Sequence, residues 1–404
     1  MEFDYQGVDK TGKKVTGRIE ASNEGEMRVL LRSQGVRPTR ISTPGNLSQE
    51  IGKVLRRSKR TMSLETLVAI TRQLHALITS GIPLVQGLEF LADQASTKNI
   101  QAIISNIKDK VAQGSYLWEA LGLYPKTFPK IYIALIRVGE SSGSLDIMFK
   151  RLSRYLENSN RLRKIVKSAM MYPVIVLFVG ILVIALMLVF VIPKFEDLLK
   201  SNNQELPGPT KAVLAVSHFF AHHAPIILFG IIGFSYLVSL YSKTREGRIF
   251  IDRMIFKSPI FGELIQKSSV ARFARTMQIM ITSGINMIDA IDICKTTMDN
   301  YVLEDAIATV RKEVESGKTL GTVIGRLQVF PKMAVQMISV GEASGSLDKM
   351  LEKIADFYEE EVEIFVSGMT KLIEPIILVF LGSVVGGLLI AMYLPIFQIS
   401  QIVK

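Results

Sequence analysis

Cysteine, histidine and tryptophan are scarce in this sequence. Its 404 residues include one cysteine, one tryptophan and four histidines. A single cysteine, Cys294, excludes an internal disulfide and any Cys-x-x-Cys metal or redox motif, and it favours a reducing compartment for most of the chain. Cys294 is therefore interpreted as a small residue of a helix core.

Charged residues are missing from two long stretches, and a third stretch is also apolar. Residues 168–193 and 375–403 contain no charged side chain, and residues 224–242 are apolar with a few serines and tyrosines. About 20 apolar residues span the hydrocarbon core of a bilayer as a helix. We therefore predict three transmembrane helices, at residues 169–193, 224–242 and 374–397. A buried helix of a soluble domain remains the alternative for the second of these.

Basic residues lie mainly beside the apolar stretches and account for much of the net charge of +11. Because Lys and Arg near span ends mark the cytoplasmic side, they predict a cytoplasmic N-terminus, with the loop at 194–223 and the tail at 398–404 on the opposite side of the membrane. The N-terminus has no signal-peptide pattern, so we expect insertion through an internal span. The basic residues that carry this prediction are Lys150, Arg151, Arg154, Arg161, Arg163, Lys164 and Lys167 before the first stretch, and Lys243, Arg245, Arg248, Arg253 and Lys257 after the second.

An internal repeat organises the rest of the chain. Val-Gly-Glu-Ser-Ser-Gly-Ser-Leu-Asp at 138–146 returns as Val-Gly-Glu-Ala-Ser-Gly-Ser-Leu-Asp at 340–348, an offset of 202. Ile-Thr-Ser-Gly-Ile at 78–82 returns at 281–285, and Pro173 and Pro193 match Pro375 and Pro395. Each repeat is thus a domain that feeds directly into a membrane span.

These patterns predict an all-α integral membrane protein with two repeated cytoplasmic helical bundles of about six helices each. The bundles are placed at residues 61–168 and 243–373, the second with its core from about residue 267. Alternation over residues 3–21 predicts two short strands, and a helix is expected around Met27 to Arg32. Residues 1–45 are therefore read as a small α+β module, and residues 46–60 as a basic linker.

Two glycine motifs resemble catalytic signatures but lack the required setting. Residues 7–13 fit a phosphate-binding loop, yet Lys14 replaces the magnesium-binding Ser or Thr and a turn between strands replaces the strand-to-helix context. Residues 139–143 fit the Gly-x-Ser-x-Gly nucleophile elbow. The repeat argues against a nucleophile, because Ser141 is replaced by Ala343 while its surroundings are retained. We therefore expect no catalytic residue and no cofactor.

The repeated loop is better interpreted as a junction between helices. Its last glycine suits a positive-φ helix cap, the serine after that glycine suits the start of the next helix, and its aspartate suits that helix's first turn. A cation site formed by the loop carboxylates is the less favoured alternative. The loop residues concerned are Glu140, Gly143, Ser144 and Asp146, with Glu342, Gly345, Ser346 and Asp348 in the second copy.

The histidines and the apolar stretches carry weaker signals. His218 and His222 have i, i+4 spacing with His223 adjacent, but no acidic ligand follows, so a polar cluster is favoured over a metal site. His75 is interpreted as structural. Ionisable residues are absent inside the stretches, with Glu374 at a boundary, which argues against transport. Pro173, Pro375 and the small-residue pair Gly382 and Gly386 are candidates for helix packing in the membrane.

Several motifs together resemble the inner-membrane platform proteins of type IV pili and type II secretion. They are the duplicated loops, Ala-Arg-Phe-Ala-Arg-Thr-Met at 271–277, Leu-Ile-Glu-Pro at 372–375 and Ala-Met-Tyr-Leu-Pro-Ile-Phe at 391–397. The resemblance covers nearly the whole chain, and the final motif looks more like the pilus branch than the secretion branch.

The resemblance implies a scaffold in the bacterial inner membrane that couples a hexameric motor ATPase to the extraction and polymerisation of pilin subunits. It implies as partners the motor, pilin transmembrane helices, other inner-membrane alignment proteins and further copies of the chain. The loop residues named above, with Arg72 and Arg275, are the candidates for partner contact. The alternative is the F-type component of a type II secretion system. A membrane enzyme, a transporter and a nucleic-acid binder are disfavoured by the missing motifs and by the location of the charges.

Overall fold

The computed structural model describes residues 2–8, 14–20, 30–31, 37–42, 61–194 and 207–402. The chain divides into two compact units, Met1–Ser153 and Arg154–Lys404. The predicted linker at 46–60 and most of the predicted helix around Met27 to Arg32 lie outside the described residues.

The first described segments are strands. β1 (Glu2–Val8) pairs antiparallel with β2 (Lys14–Glu20), and these are the two strands expected from the alternation. β3 (Arg37–Ser42) was not predicted; it pairs antiparallel with β1, giving the order β2-β1-β3. Pro38 obscured the strand pattern, and β3 lies at a sheet edge, where a proline removes no required hydrogen bond.

The first repeat contains six helices within the described segment 61–194, as the periodicity predicted. Ser63 and Thr97 begin two of them by accepting hydrogen bonds from the amides of Thr66 and Ile100. Such side-chain caps satisfy amides that have no partner within the helix. The helices are α1 (Leu64–Thr79), α2 (Leu84–Asp93), α3 (Lys98–Ala112), α4 (Leu117–Gly122), α5 (Lys130–Ser142) and α6 (Leu145–Leu186).

Two helices follow before the second repeat, and six more form it within the described segment 207–402. Cys294 is fully buried in this repeat, with Sγ 3.8 Å from the Phe273 carbonyl oxygen, and burial raises the pKa of its thiol. The cysteine is thus a core residue, as predicted. The helices are α7 (Gly208–Lys243), α8 (Arg245–Lys257), α9 (Phe261–Thr282), α10 (Met287–Thr297), α11 (Tyr301–Glu315), α12 (Leu320–Leu327), α13 (Lys332–Ala343) and α14 (Leu347–Ile402).

The last helix of each repeat is much longer than the others. α6 has 42 residues and continues as a π-helical turn at Met187–Val191, and α14 has 56 residues. At 1.5 Å per residue these lengths are roughly 60 and 80 Å, well above the 30 Å of a hydrocarbon core. The proposed domain-to-span boundaries therefore fall inside continuous helices. α7 begins at Gly208, sixteen residues before the apolar stretch predicted from residue 224.

Candidate functional site: the repeated loops and the long helices

The repeated loops join the fifth and sixth helices of each repeat through a left-handed glycine. Gly143 has φ 68° and Gly345 has φ 67°. Both glycines therefore take the positive-φ cap predicted from the sequence. Ser144 and Ser346 directly precede α6 and α14, and their carbonyls accept the first hydrogen bonds of those helices; their hydroxyls lie 2.7 and 2.6 Å from the Ser142 and Ser344 hydroxyls.

A second glycine allows the two joined helices to approach closely. A Cβ added at Gly139 would lie 2.8 Å from Met148 Cγ and 3.2 Å from Leu145 Cα. At Gly341 the corresponding distances are 2.9 Å to Met350 Cγ and 3.1 Å to Leu347 Cα. The Val-Gly-Glu motif thus carries its glycine because a side chain there would meet the next helix.

The loop glutamates cap the short fourth helix of each repeat. Glu140 accepts hydrogen bonds from the backbone amides of Leu117 at 2.8 Å and Trp118 at 3.2 Å. Glu342 accepts from Leu320 at 2.8 Å and Gly321 at 2.9 Å. A carboxylate at a helix N-terminus satisfies free amides and interacts favourably with the helix dipole. This long-range cap was not anticipated from the sequence, since the glutamate lies more than 20 residues after the amides that it binds.

The geometry of this loop does not support the alternative interpretations as a cation site or as a nucleophile elbow. Both carboxylate oxygens of Glu140 already accept amide hydrogens, and Asp146 is exposed. Among the described residues, no group of three His, Cys, Asp or Glu side chains is arranged to hold a metal. Ser141 lies in the last turn of α5, where its hydroxyl donates to the Arg137 carbonyl at 2.6 Å. It therefore does not sit on the strand-to-helix turn that a nucleophile elbow requires.

An aromatic and cationic pair distinguishes the first loop from the second. The Arg137 guanidinium lies 5.2 Å from the centre of the Trp118 ring, within cation–π range. Trp118 also stacks beside Tyr116, which is 58% exposed. Gly321 and Ser339 occupy the equivalent places in the second repeat, where a Cβ on the glycine would collide with the serine. Comparing the copies position by position would have shown this difference in the sequence.

Arg275 forms an ion-pair network in the second repeat. Its guanidinium donates to Glu359 at 2.9 Å and to Asp356 at 2.6 Å. The Arg275 and Glu359 side chains are only 14% and 7% exposed. Burial disfavours the charged guanidinium, but the bonds to Glu359 and Asp356 outweigh it and raise the pKa of Arg275. Arg72, the equivalent residue in the first repeat, is exposed.

The acidic run before the third apolar stretch pairs with basic and amide side chains. Lys267 binds Glu361 at 2.9 Å, and Asn158 donates to Glu359 at 3.3 Å. Arg161 binds Glu363 at 3.2 Å. The run is therefore used for contacts between helices.

The long helices α6 and α14 run parallel and in register. Arg161 pairs with Glu363, and farther along the Tyr172 hydroxyl lies 3.3 Å from Glu374. Both pairs are separated by 202 positions, the offset of the repeat. Two pairs of equivalent residues thus connect the helices, in the same order along both.

The far halves of these helices are apolar and largely exposed. The regions Leu145–Lys194 and Leu347–Pro395 include 18-residue windows of mean hydropathy 3.5 and 2.5, of which 11% and 22% of the residues are buried. Both helices are long and apolar enough to cross a membrane. Gly180 lies against Leu381, so this glycine packs the two helices together, although it was not among the predicted packing residues.

Helix α7 joins α6 and α14 at their far ends. A small buried cluster there comprises Leu188, Ile192, Leu214, Leu388 and Met392. The hydroxyl of Thr210 donates to the Ala391 carbonyl at 2.6 Å, and the hydroxyl of Ser217 donates to the Leu188 carbonyl. Both hydroxyls are buried and bond backbone carbonyls, as polar groups in apolar surroundings require.

The remaining predicted residues occupy different environments. Pro173 is buried, whereas Pro375 and Glu374 are exposed on α14. Cβ atoms added at Gly382 and Gly386 would have no neighbour within 4 Å, so these glycines leave space beside α14. His218, His222 and His223 lie on α7, where His223 stacks on Phe219. His75 is partly buried in α1.

Comparison with known proteins assigns the family. A model of the type II secretion system protein F matches residues 70–193 and 273–395, and a model of that protein's N-terminal domain matches residues 1–42. The chain belongs to the type II secretion system protein F family. The two matched regions of this F-family member are the two repeats, which the duplicated loops predicted.

Individual relatives match over nearly their whole length. The chain is 39% identical to the type IV pilus assembly protein PilC of Myxococcus xanthus, covering 100% of this chain and 96% of the relative. It is 35% identical to PilC of Pseudomonas aeruginosa, over 93% and 99% of the two chains. The type II secretion system protein F of Vibrio cholerae is 29% identical, over 100% and 99%. The resemblance stated from the motifs is thereby confirmed.

Proposed function

We propose that this protein is the inner-membrane platform of a type IV pilus assembly system. The observation that carries the proposal is full-length similarity to pilus assembly proteins at 35% and 39% identity, against 29% for the secretion protein. A type II secretion component is the second candidate, supported by the family match. Deleting the gene and scoring surface pili and secreted enzymes separately tests the choice. Loss of pili with normal secretion is expected; loss of secretion with normal pili would reverse it.

The platform crosses the membrane three times in this proposal. Since α6 and α14 run in the same direction, a chain that enters both from the cytoplasm must cross back between them. α7 is the described helix available for that return: it has 36 residues, and residues 212–242 contain no Asp, Glu, Lys or Arg. Its contacts with the far ends of α6 and α14 support the same path.

The orientation follows from the basic residues and places the N-terminus in the cytoplasm and the C-terminus in the periplasm. A reporter fused after Gln204 tests it. An enzyme that is active only in the periplasm should be active in this fusion, whereas the same reporter after Lys257 should be inactive. Activity of the second fusion alone would contradict the orientation.

The cytoplasmic domains meet the motor ATPase in this proposal, and the platform itself hydrolyses nothing. The surface proposed for the motor lies on the first repeat, where Tyr116, Trp118 and Arg137 lie together beside the exposed end of the loop. Tyrosine, tryptophan and arginine are the residues most enriched at the energetic centres of protein interfaces. Glu140 lies below this surface as a helix cap, so its substitution is expected to act through the fold.

Binding of the purified motor to the platform in detergent tests this surface. Tyr116→Ala together with Arg137→Ala, both at exposed positions, should weaken binding with little change in the thermal unfolding temperature. Lys332→Gln together with Lys349→Gln, at exposed positions of the second repeat, serves as the control and should bind normally. Unchanged binding of the first variant would exclude this surface. ATP hydrolysis by the platform alone would contradict a non-enzymatic role.

The free space beside Gly382 and Gly386 is proposed to receive another helix, from a pilin or a second copy of the chain. Replacing both glycines with leucine should prevent that approach while leaving the α6–α14 contact at Gly180 intact. Cross-linking in membranes to pilin and to a second copy, measured separately, distinguishes the two occupants.

A further inference from the structure

Helix α8 begins immediately at the end of α7. Only Thr244 separates the two helices, and its hydroxyl accepts a hydrogen bond from the Gly247 amide at 3.1 Å. A Cβ at Gly247 would overlap the Tyr241 carbonyl oxygen, so the first turn of α8 lies directly against the last turn of α7. If α7 is a membrane span, α8 starts where the chain emerges into the cytoplasm.

Two polar residues of α8, Arg248 and Asp252, contact the second repeat. Asp252 accepts a hydrogen bond from the Tyr301 amide at 2.8 Å, at the N-terminus of α11. The Asn300 side chain donates to the Asp252 carbonyl at 3.0 Å, and Arg248 pairs with Glu304 at 3.1 Å. Polar contacts thus hold α8 on the second repeat.

The opposite side of α8 presents large apolar residues. Phe250 is 62% exposed and Met254 is 68% exposed. Spacing of four and seven residues places Phe250, Met254 and Lys257 on one face, with Arg253 beside it. A soluble surface helix buries its apolar residues against the core. In α8, Ile249, Ile251 and Phe256 are partly buried, but Phe250 and Met254 remain exposed.

The charges around this face are predominantly positive. Residues 243–257 include five basic and two acidic side chains. One of the acidic residues, Asp252, is on the protein-facing side. Large apolar residues flanked by Lys and Arg are the pattern of helices that lie in the interface of an anionic membrane.

We propose that α8 lies in the cytoplasmic interface of the membrane, with Phe250 and Met254 among the lipid headgroups and upper acyl chains. Arg253 and Lys257 bind the phosphate groups of anionic phospholipids. The inference rests on the proposed return crossing of α7. It assigns the lipid surface as the partner of this helix and makes α8 an anchor that holds the second repeat against the membrane.

Fluorescence quenching by brominated lipid tests the position of α8. The full-length protein with Trp118→Phe is reconstituted into vesicles of phosphatidylethanolamine and phosphatidylglycerol, and a single tryptophan is introduced by Phe250→Trp. Two matched variants carry Phe178→Trp, in the apolar half of α6, or Phe90→Trp, on α2 of the first repeat; both phenylalanines are exposed.

The Phe250→Trp variant should lose fluorescence when the lipid is brominated, more with bromine near the headgroup than deep in the chain. The Phe178→Trp variant should be quenched by deep bromine, and the Phe90→Trp variant should not be quenched. If brominated lipid quenches F178W but neither F250W nor F90W, the proposal is overturned and the platform assignment stays intact. Absence of quenching in F178W would overturn the membrane span of α6 as well.

Charge and partner controls sharpen the test. Arg253→Gln with Lys257→Gln should reduce the quenching of F250W in vesicles containing phosphatidylglycerol, whereas Lys332→Gln with Lys349→Gln should not. Quenching that is independent of phosphatidylglycerol would overturn the headgroup contacts. Shielding of the F250W tryptophan from aqueous iodide by an added cytoplasmic protein, without lipid quenching, would show that the face docks a protein instead.

Discussion

The two repeats build the same loop but carry different charges along the long helix that follows it. Both have a left-handed glycine, a close-packed glycine and a glutamate that caps the fourth helix. Along the long helices the first copy carries Arg161 and the second carries Glu363 at equivalent positions, and these residues pair. Because equivalent positions face each other, identical charges would repel. The opposite signs at these two positions make the contact attractive.

The largest loss of stability is expected on replacing Arg275, which is mostly buried in an ion-pair network, whereas its equivalent Arg72 is exposed. Arg275→Ala removes the partner of the buried Glu359 carboxylate and should cost about 3 kcal/mol, the lower end for a broken buried pair, since Asn158 still donates to Glu359. Arg72→Ala, at an exposed position, should cost at most about 0.5 kcal/mol. Thermal unfolding of the detergent-solubilised protein measures both. Equal effects would mean that the two arginines have equivalent roles.

The second-largest effect is expected at the glutamate cap of the fourth helix, which both repeats share. Glu140→Ala and Glu342→Ala each leave two helix-terminal amides without an acceptor and should each cost about 2 kcal/mol. Glu→Gln at the same positions keeps one acceptor oxygen and should cost less. Unfolding of each variant, with hydrogen exchange at the first turns of α4 and α12, reports the loss. A large effect in one copy only would show that the shared geometry is not equally important.

A smaller effect is expected at the left-handed glycines. Gly143→Ala and Gly345→Ala should each destabilise the protein by about 1 kcal/mol, because alanine is disfavoured at positive φ. Gly382→Ala is the control, because Gly382 has a helical backbone and open space beside it. The difference in stability between the loop variants and this control measures the cost of placing alanine at positive φ. An unfolding temperature that is unchanged in the loop variants would contradict the assigned caps.

The smallest effect tests the in-register pairing of α6 and α14. Arg161→Glu places two carboxylates together, and adding Glu363→Arg restores an opposite pair. The pair is partly exposed, so the coupling energy should be below about 1 kcal/mol. A double-mutant cycle in low salt measures it. A coupling of zero would indicate that the two side chains do not interact, and the parallel register would then rest on Tyr172 and Glu374.

Much of the local structure was predictable from the sequence. The repeat located both bundles, helical periodicity indicated six helices in each, and glycine placement identified the left-handed caps. β3 was missed because Pro38 and the polar residues around it hide the strand pattern. The caps formed by Glu140 and Glu342 were missed because their amide partners lie 21 to 23 residues away in sequence.

The sequence by itself determined the family, the duplication and the apolar segments, because these depend on residue identity and on short-range periodicity. Only the tertiary structure decided which equivalent positions meet, which glycine packs the long helices, and which face of α8 is turned outward. Those features depend on how helices are placed against one another. An exposed Phe250 and a buried Thr276 look equally ordinary in an amphipathic sequence until packing assigns one to the surface and the other to the core.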